Sequence, residues 1–215
     1  LNKFVWNQKL SVWKKPYHMI GNCSWISDCA RSSFLMKDWP ITTIPNAINT
    51  DCWAPFNKAT SRMLLNLPLK PRLCLFSSLG GLNDNRKGFD LLLRALDYLS
   101  KSNMKGHLEF VVLASMPMEL PSYLKSLNFK FHFVGTFNDD ISLRLVYSAC
   151  DIVAIPSRQE TLTNVGVEAH SCGVPVVAFD SSGMTDIVKQ NHTGYLANSF
   201  DPDDFAKGIY SLLTL

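Results

Sequence analysis

Two glutamates, a lysine and an arginine are the residues of this chain whose placement can do chemistry. Glu160 and Glu168, with seven residues between them, stand in the stretch PSRQETLTNVGVEAHSCGVPVVAF, residues 156–179. Glu160 follows the apolar run DIVAIPS and so sits in a strand-exit loop. The next helix starts near Thr163 or Asn164, either of which can cap it. Glu168 then lies about one turn inside that helix, roughly 6 to 8 Å along the axis from the cap at ~1.5 Å per residue. Three ligand parts fit in a row along this segment. Glu160 can accept hydrogen bonds from hydroxyls, the helix N-terminus can hold an anion, and Glu168 can bind a hydroxyl pair. A nucleotide sugar has that order: sugar, diphosphate, ribose. The plainer alternative makes Glu160 a dipole-favouring residue and Glu168 a solvated one. Against it, Glu168 sits between Val167 and Ala169 in a mostly apolar helix, where a charge needs partners.

The cations come from a second loop, SSLGGLNDNRKG, residues 77–88. Gly80 and Gly81 let the backbone turn tightly and approach a ligand. Arg86 and Lys87 stand beside a helix N-terminus near Gly88 and suit a phosphate or diphosphate. Taken alone the pair reads as a solvated turn. The loop lacks G-x-G-x-x-G, which argues against a dinucleotide-binding oxidoreductase. A third loop, VGTFNDD at 134–140, can bring the main chain of Gly135 and Thr136 against a planar base. A fourth, DSSGMTD at 180–186, precedes a short helix.

The elements that must position these loops alternate along the chain. PYHMIGN (16–22) reads as a strand, SWISDCARSSFLM (24–36) as a helix capped by Ser24, and ITTIPNAINTDCWAP (41–55) as a short strand entering a turn. Prolines 55, 68 and 71 mark residues 51–71 as a linker. From Arg72, strands RLCLFSSL, HLEFVVLAS, FKFHFVG, DIVAIPS and VPVVAF alternate with helices GFDLLLRALDYLS, LPSYLKSL, DDISLRLVYSAC and LTNVGVEAHSC. GMTDIVKQ and DPDDFAKGIYSLL close the chain as helices. Such alternation predicts an α/β fold with a doubly wound parallel sheet. Its strands are short apolar runs, as expected when both faces are covered.

Composition narrows the function classes. The chain has 215 residues, 47% hydrophobic and 18% charged, with a formal net charge of +3. That is globular and lacks the strong basic footprint of a nucleic-acid binder. No apolar run is long enough to span a membrane. The six cysteines show no C-x-x-C spacing and read as reduced thiols, so the expected compartment is cytoplasmic. The five histidines form no metal-ligand spacing. Neither a cofactor nor a metal is expected. The chain begins at Leu1 without a start signal and reads as a piece of a longer protein.

The stretch PSRQETLTNVGVEAHSCGVPVVAFDSSGMTDIV, followed by TGYLA and DPDDFAKGI, resembles the donor-site signature of family-4 retaining glycosyltransferases. These have the GT-B architecture, in which two Rossmann-like domains face each other. IPNAINTDCWAP is similar to the stretch joining the two domains, and NRKGFDLLLRAL to the phosphate-binding segment. The resemblance covers about residues 16 to 215, most clearly 72 to 213. QETLTN and RKGFD look most like members that build bacterial surface polysaccharides such as lipopolysaccharide. It implies a remnant of the N-terminal acceptor domain and hinge at 1–50, a linker at 51–71 and a donor-binding domain at 72–215. It implies that Glu168 holds the ribose hydroxyls and that Glu160 contacts the transferred sugar nearest the anomeric centre. The segment Thr161, Leu162, Thr163 and Asn164 then meets sugar and diphosphate. Lys87, helped by Arg86, neutralises the leaving diphosphate, and the main chain at 134–136 meets the base.

Many relatives carry an arginine where this chain has Leu82, and a glycine where it has Ala47. The implied partners are a nucleoside-diphosphate sugar and a saccharide or lipid-linked acceptor. Part of the catalytic constellation and a peripheral contact with the inner face of the membrane would belong to the missing N-terminal domain. The chain alone would then mainly bind the donor. A non-catalytic nucleotide-sugar-binding module of the same fold is the alternative. A nucleotide-sugar epimerase would need a histidine in the crevice, which this pattern lacks.

Overall fold

The computed structural model describes residues 2–77, 84–102, 104, 106–114, 124 and 126–214. The chain divides into two compact units, Leu1–Ala47 and Ile48–Leu215. In the first, helix α1 (Lys3–Val12) starts at Asn2, whose side chain accepts a hydrogen bond from the Phe4 amide. Strands β1 (Met19–Gly21) and β2 (Ile41–Thr43) pair in parallel, Met19 opposite Ile41, with helix α2 (Ser24–Arg31) between them in sequence. Cys23, not Ser24, holds the cap position of α2, and the helix stops at Arg31 instead of running to Met36. Ser27 explains part of this geometry. Its buried hydroxyl donates to the Cys23 carbonyl and accepts from Thr43 Oγ1, tying α2 to β2.

In the second unit, residues 51–71 are more than the linker that their prolines suggest. They contain helix α3 (Lys58–Leu64), capped by Asn57, whose Oδ1 accepts from the Thr60 amide. Then follow β3 (Arg72–Ser77), a 3-10 turn (Asn85–Lys87), α4 (Phe89–Ser100), β4 (Leu108–Leu113), β5 (Phe131–Phe133), α5 (Asp140–Ala149), β6 (Ile152–Ile155), α6 (Asn164–Ser171), β7 (Val176–Phe179), α7 (Met184–Ile187), β8 (Gly194–Ala197) and α8 (Pro202–Thr214). Most of the helix expected at LPSYLKSL lies outside the described residues. Strand β8 emerges from TGYLA, a motif too short and mixed to announce a strand by periodicity. The six strands form one parallel sheet in the order β5-β4-β3-β6-β7-β8.

This is the doubly wound α/β arrangement that the alternation of elements predicts. Alternate strand residues Cys74, Phe76, Phe110, Val112, Ile152, Ala154, Val177 and Phe179 face one core, which α4 fills with Leu92, Leu96 and Leu99 and α8 with Phe205 and Ile209. Pro202 opens α8, where its missing N–H costs nothing, and Asp201 caps the helix by accepting from the Asp203 amide. The intervening strand positions, among them Val153 and Ile155, face the other side. There Gly166 of α6 packs against Ile187 and Ile155: a Cβ on it would lie 3.1 Å from Ile187 Cγ2, a tight approach, and 3.5 Å from Ile155 Cδ1.

Candidate functional site

Strands β3 and β6 are neighbours, Cys74 opposite Ile152. The chain nevertheless leaves β3 toward β4 and β5, returns to β6, and then moves outward to β7 and β8. The connections at the carboxyl ends of β3 and β6 therefore depart in opposite directions, which opens a crevice there. A cleft at this point is lined by Phe76, Ser77, Lys87, Ser157, Glu160 and Thr163, among others. The fold thus gathers three of the sequence-predicted residues in one place.

Lys87 and Glu160 are 73 positions apart in sequence, yet Lys87 Nζ donates to Glu160 Oε1 at 2.7 Å. Ser157 Oγ donates to the same oxygen at 2.9 Å. The lysine side chain keeps 33% of its surface exposed and the glutamate 14%. The pair is therefore partly in water, mainly on the lysine side. Its cation can be shared with an incoming anion at little desolvation cost. The backbone of Glu160 is fixed on both sides by the fourth loop: its N–H donates to Ser182 Oγ and its carbonyl accepts from the Gly183 amide. Loop 180–186 acts as a clamp on Glu160.

Lys87 is positioned by the 3-10 turn and by Gly88. Asp84 starts the turn by accepting from the Arg86 amide, and the Lys87 amide donates to the Asp84 carbonyl. Gly88 has φ of +64°, and a Cβ on it would lie 1.9 Å from the Pro156 carbonyl oxygen. Only glycine allows that backbone conformation and that approach together. Arg86, expected beside Lys87 at the diphosphate, points its guanidinium at Asp84, with bonds of 3.2 and 2.9 Å. These bonds hold the Asp84 carboxyl below the usual range. The Arg86 side chain is 77% exposed, and its charge already has a partner in Asp84. Gly80, Gly81 and Leu82 lie outside the described residues.

Helix α6 carries the second half of the expected site. Thr163 takes the cap position without a side-chain hydrogen bond to the first turn, so its hydroxyl leaves the turn's free N–H groups to other acceptors. Leu162 and Thr163 are buried, while Thr161 and Asn164 are exposed. Glu168, one turn on, has the partner that its apolar surroundings demand. The Tyr147 hydroxyl donates to Glu168 Oε2 at 2.8 Å. Burial pushes the Glu168 carboxyl up, and the Tyr147 bond opposes that rise without cancelling it. Tyr147 is itself in the core, its ring edge-on to Trp53 at 5.9 Å, and Ser171 at the end of α6 donates to the Trp53 carbonyl. Gly135, with φ of +81°, and exposed Thr136 follow β5 at the same carboxyl edge, two strands away from β3.

Sequence reasoning missed Ser157, Ser182 and Tyr147. None belongs to a spacing that signals chemistry. Each acts on a residue brought near by the fold or by a loop, and their partners were visible only as separate motifs. Among the described residues, no group of three or more His, Cys, Asp or Glu side chains could hold a metal ion. All six cysteines are free thiols. No described helix is long and apolar enough to cross a membrane.

The family described as glycosyl transferases group 1 matches residues 74–215. The chain is 30% identical over 184 residues to the D-inositol 3-phosphate glycosyltransferase of Stackebrandtia nassauensis, covering 81% of this chain and 41% of that protein. It therefore spans about two fifths of the length of that relative. Among solved structures, sucrose-phosphate synthase from Thermosynechococcus elongatus superposes with a TM-score of 0.79 at 23% identity, covering 99% of this chain and 53% of that one. Anabaena HepE in complex with UDP-glucose gives a TM-score of 0.68 at 19% identity, covering 99% and 58%. At these identities the two structures speak for the fold.

Proposed function

The chain belongs to the glycosyl transferases group 1 family, and from that premise we propose that it is the donor-binding part of a retaining glycosyltransferase. The reaction moves a sugar from a nucleoside diphosphate to a saccharide or lipid-linked acceptor, in the assembly of a bacterial surface polysaccharide at the cytoplasmic face of the membrane. The rest of the parent protein supplies the acceptor site and the membrane contact, so the chain alone mainly binds donor. The observation that carries this reading is the Lys87–Glu160 pair at the switch point of the sheet, facing the N-terminus of α6.

The geometry divides the work. A sugar leaving a nucleoside diphosphate does so with growing negative charge on the phosphate oxygen. Lys87 and the first-turn N–H groups of α6 are fixed before the reaction, so they stabilise that charge more in the transition state than in the ground state. When the diphosphate enters, Lys87 exchanges Glu160 for phosphate oxygens. The Glu160 carboxylate, held by Ser157 and by the Ser182–Gly183 clamp, then accepts from the sugar hydroxyls. Glu168 is held through one oxygen by Tyr147, and its other oxygen accepts from a ribose hydroxyl. The main chain at 134–136 meets the base. HepE, whose structure contains UDP-glucose, has the same fold, which supports a nucleotide-sugar ligand.

Calorimetric titration with UDP-, GDP- and ADP-sugars tests the reading. One of the three series is expected to bind, and Glu168→Ala is expected to weaken it by about tenfold, as loss of a hydrogen bond to a charged group does. Absence of binding to all three, or equal binding by the variant, would overturn the site assignment.

A further inference from the structure

Arg158 belongs to no part of the donor site described above, yet it makes more bonds to the Lys87 segment than any other described side chain outside that segment. We propose that Arg158 is a positioning residue of the diphosphate site, strapping residues 85–90 to the loop after β6 so that Lys87 presents its ammonium to Glu160 and to the anion beside it. This rests on the nucleotide-sugar reading.

The strap has fastenings on both sides of Lys87. Before it, Arg158 Nη1 donates to the Asn85 carbonyl at 2.8 Å and to Asn85 Oδ1 at 3.0 Å. After it, Nη1 and Nη2 donate to the two oxygens of Asp90 at 2.7 and 2.6 Å. Between these, the Arg158 amide donates to the Arg86 carbonyl at 2.8 Å. One guanidinium thus spans the 3-10 turn and the first turn of α4. Gly88 closes the same gap from the other direction by resting on the Pro156 carbonyl. A planar fork can satisfy a carboxylate with two parallel bonds and still reach a carbonyl; an ammonium cannot.

Energy does not explain the arrangement. Asp90 is 57% exposed and Arg158 30%, and exposed ion pairs contribute little to stability. Geometry does. Lys87 sits on a single 3-10 turn, a short element with strained hydrogen bonds. Its long side chain has to arrive at one carboxylate oxygen 73 positions away. Arg158 is two residues from Glu160, so the strap references the cation to the same loop that carries its partner. Arg158 does not touch the Lys87 ammonium, and its guanidinium is already occupied by Asn85 and Asp90, so it acts through the turn.

Two measurements on the 215-residue chain test this. In the ligand-free protein, Arg158→Ala is expected to speed amide hydrogen exchange of residues 85–90 by tenfold or more relative to the strands, as loss of local protection does. Unchanged exchange there overturns the strap whatever the ligand is. For binding, the chain is titrated with UDP, GDP and ADP and with the matching nucleosides. Arg158→Ala is expected to weaken the preferred nucleoside diphosphate by about tenfold, a coupling of ordinary size for residues in one network. Arg158→Lys recovers only part of that loss, and nucleoside affinity stays the same. Adding Arg158→Ala to Lys87→Ala costs nothing further. Equal losses for nucleoside and diphosphate mark a merely structural role. Additive losses mark a direct phosphate contact. An unchanged diphosphate affinity marks no role, and each of the three overturns the proposal. If the unsubstituted chain binds no nucleoside diphosphate, the donor-site reading fails, and the diphosphate role of Arg158 falls with it.

Discussion

Strand β6 carries a carboxylate network at each end, and the two are built differently. At its start, Asp151 is 7% exposed and meets Arg62, itself 5% exposed, at 2.7 Å. Lys58, Arg72 and the Leu73 amide also donate to Asp151. Arg62 spends its remaining donors on the carbonyls of Ala149, Leu69 and Pro71. Every strong group is satisfied within the protein. Beyond the end of β6, Glu160 has Ser157 and one half-exposed lysine. The first network is closed and fastens α3 to the sheet. The second is open, because its cation keeps about a third of its surface in water. A charge cluster is therefore a candidate site when its partners can be traded. The number of its charges does not decide the matter.

The contrast can be broken most severely at the closed end. Asp151→Asn leaves Arg62 buried beside Lys58 and Arg72 without a counter-charge, which is expected to cost about 3–5 kcal/mol in urea unfolding. Glu160→Gln removes a carboxylate from a pair that still reaches water and is expected to cost under about 1 kcal/mol in the same measurement. Equal costs would remove the distinction between the two ends.

Gly88→Ala sharpens the comparison from the side of the backbone. The left-handed conformation alone disfavours a Cβ by about 1–2 kcal/mol, and the contact with the Pro156 carbonyl adds to that. Denaturation is expected to show a loss of more than about 2 kcal/mol. Nucleotide titration of the folded variant is expected to show weakened diphosphate binding, because Lys87 moves with the turn.

The smallest effect is in the pH dependence of stability, where two carboxylates act with opposite sign. Burial pushes Asp151 up, but the Lys58 bond, the Leu73 amide and the neighbouring cations outweigh it and hold the group below its ordinary value. Its contribution is present above the unfolded carboxylate range, about pH 4, and is lost as pH falls through the folded value. Glu168 is raised, chiefly by burial. The folded state then binds the proton more readily, so Glu168 adds stability as pH falls toward about 4.3 and withdraws it as pH rises. Urea midpoints measured against pH are expected to lose the acid fall in Asp151→Asn and the opposing rise in Glu168→Gln.

The linear chain was enough for the alternation of short apolar runs with amphipathic segments, and therefore for the parallel sheet, because strand and helix periods are local properties. It also sufficed for the residue types near the strand exits: Lys87, Glu160, Glu168 and a helix cap at Thr163 or Asn164 are placed by local rules. It did not carry α3, because three prolines mask the periodicity of KATSRML, and that helix is held by Arg62 and Asp151, 89 positions apart. It did not carry β8 for a related reason: four residues hold too little pattern, and pairing with β7 makes the strand.

The folded structure alone decided which charges meet. Arg86 and Lys87 are adjacent and identical in sign, yet one is bonded to Asp84 two residues away and the other to Glu160 across the crevice. Arg158 reads as one more surface cation until Asn85 and Asp90 are brought to it, and Tyr147 as one more core aromatic until α6 lays Glu168 on its hydroxyl. Periodicity and capping depend on neighbours in the chain, so they are legible along it. Pairing of charges far apart in the chain depends on distances of a few ångströms between strands and loops, and the order of strands in the sheet sets those.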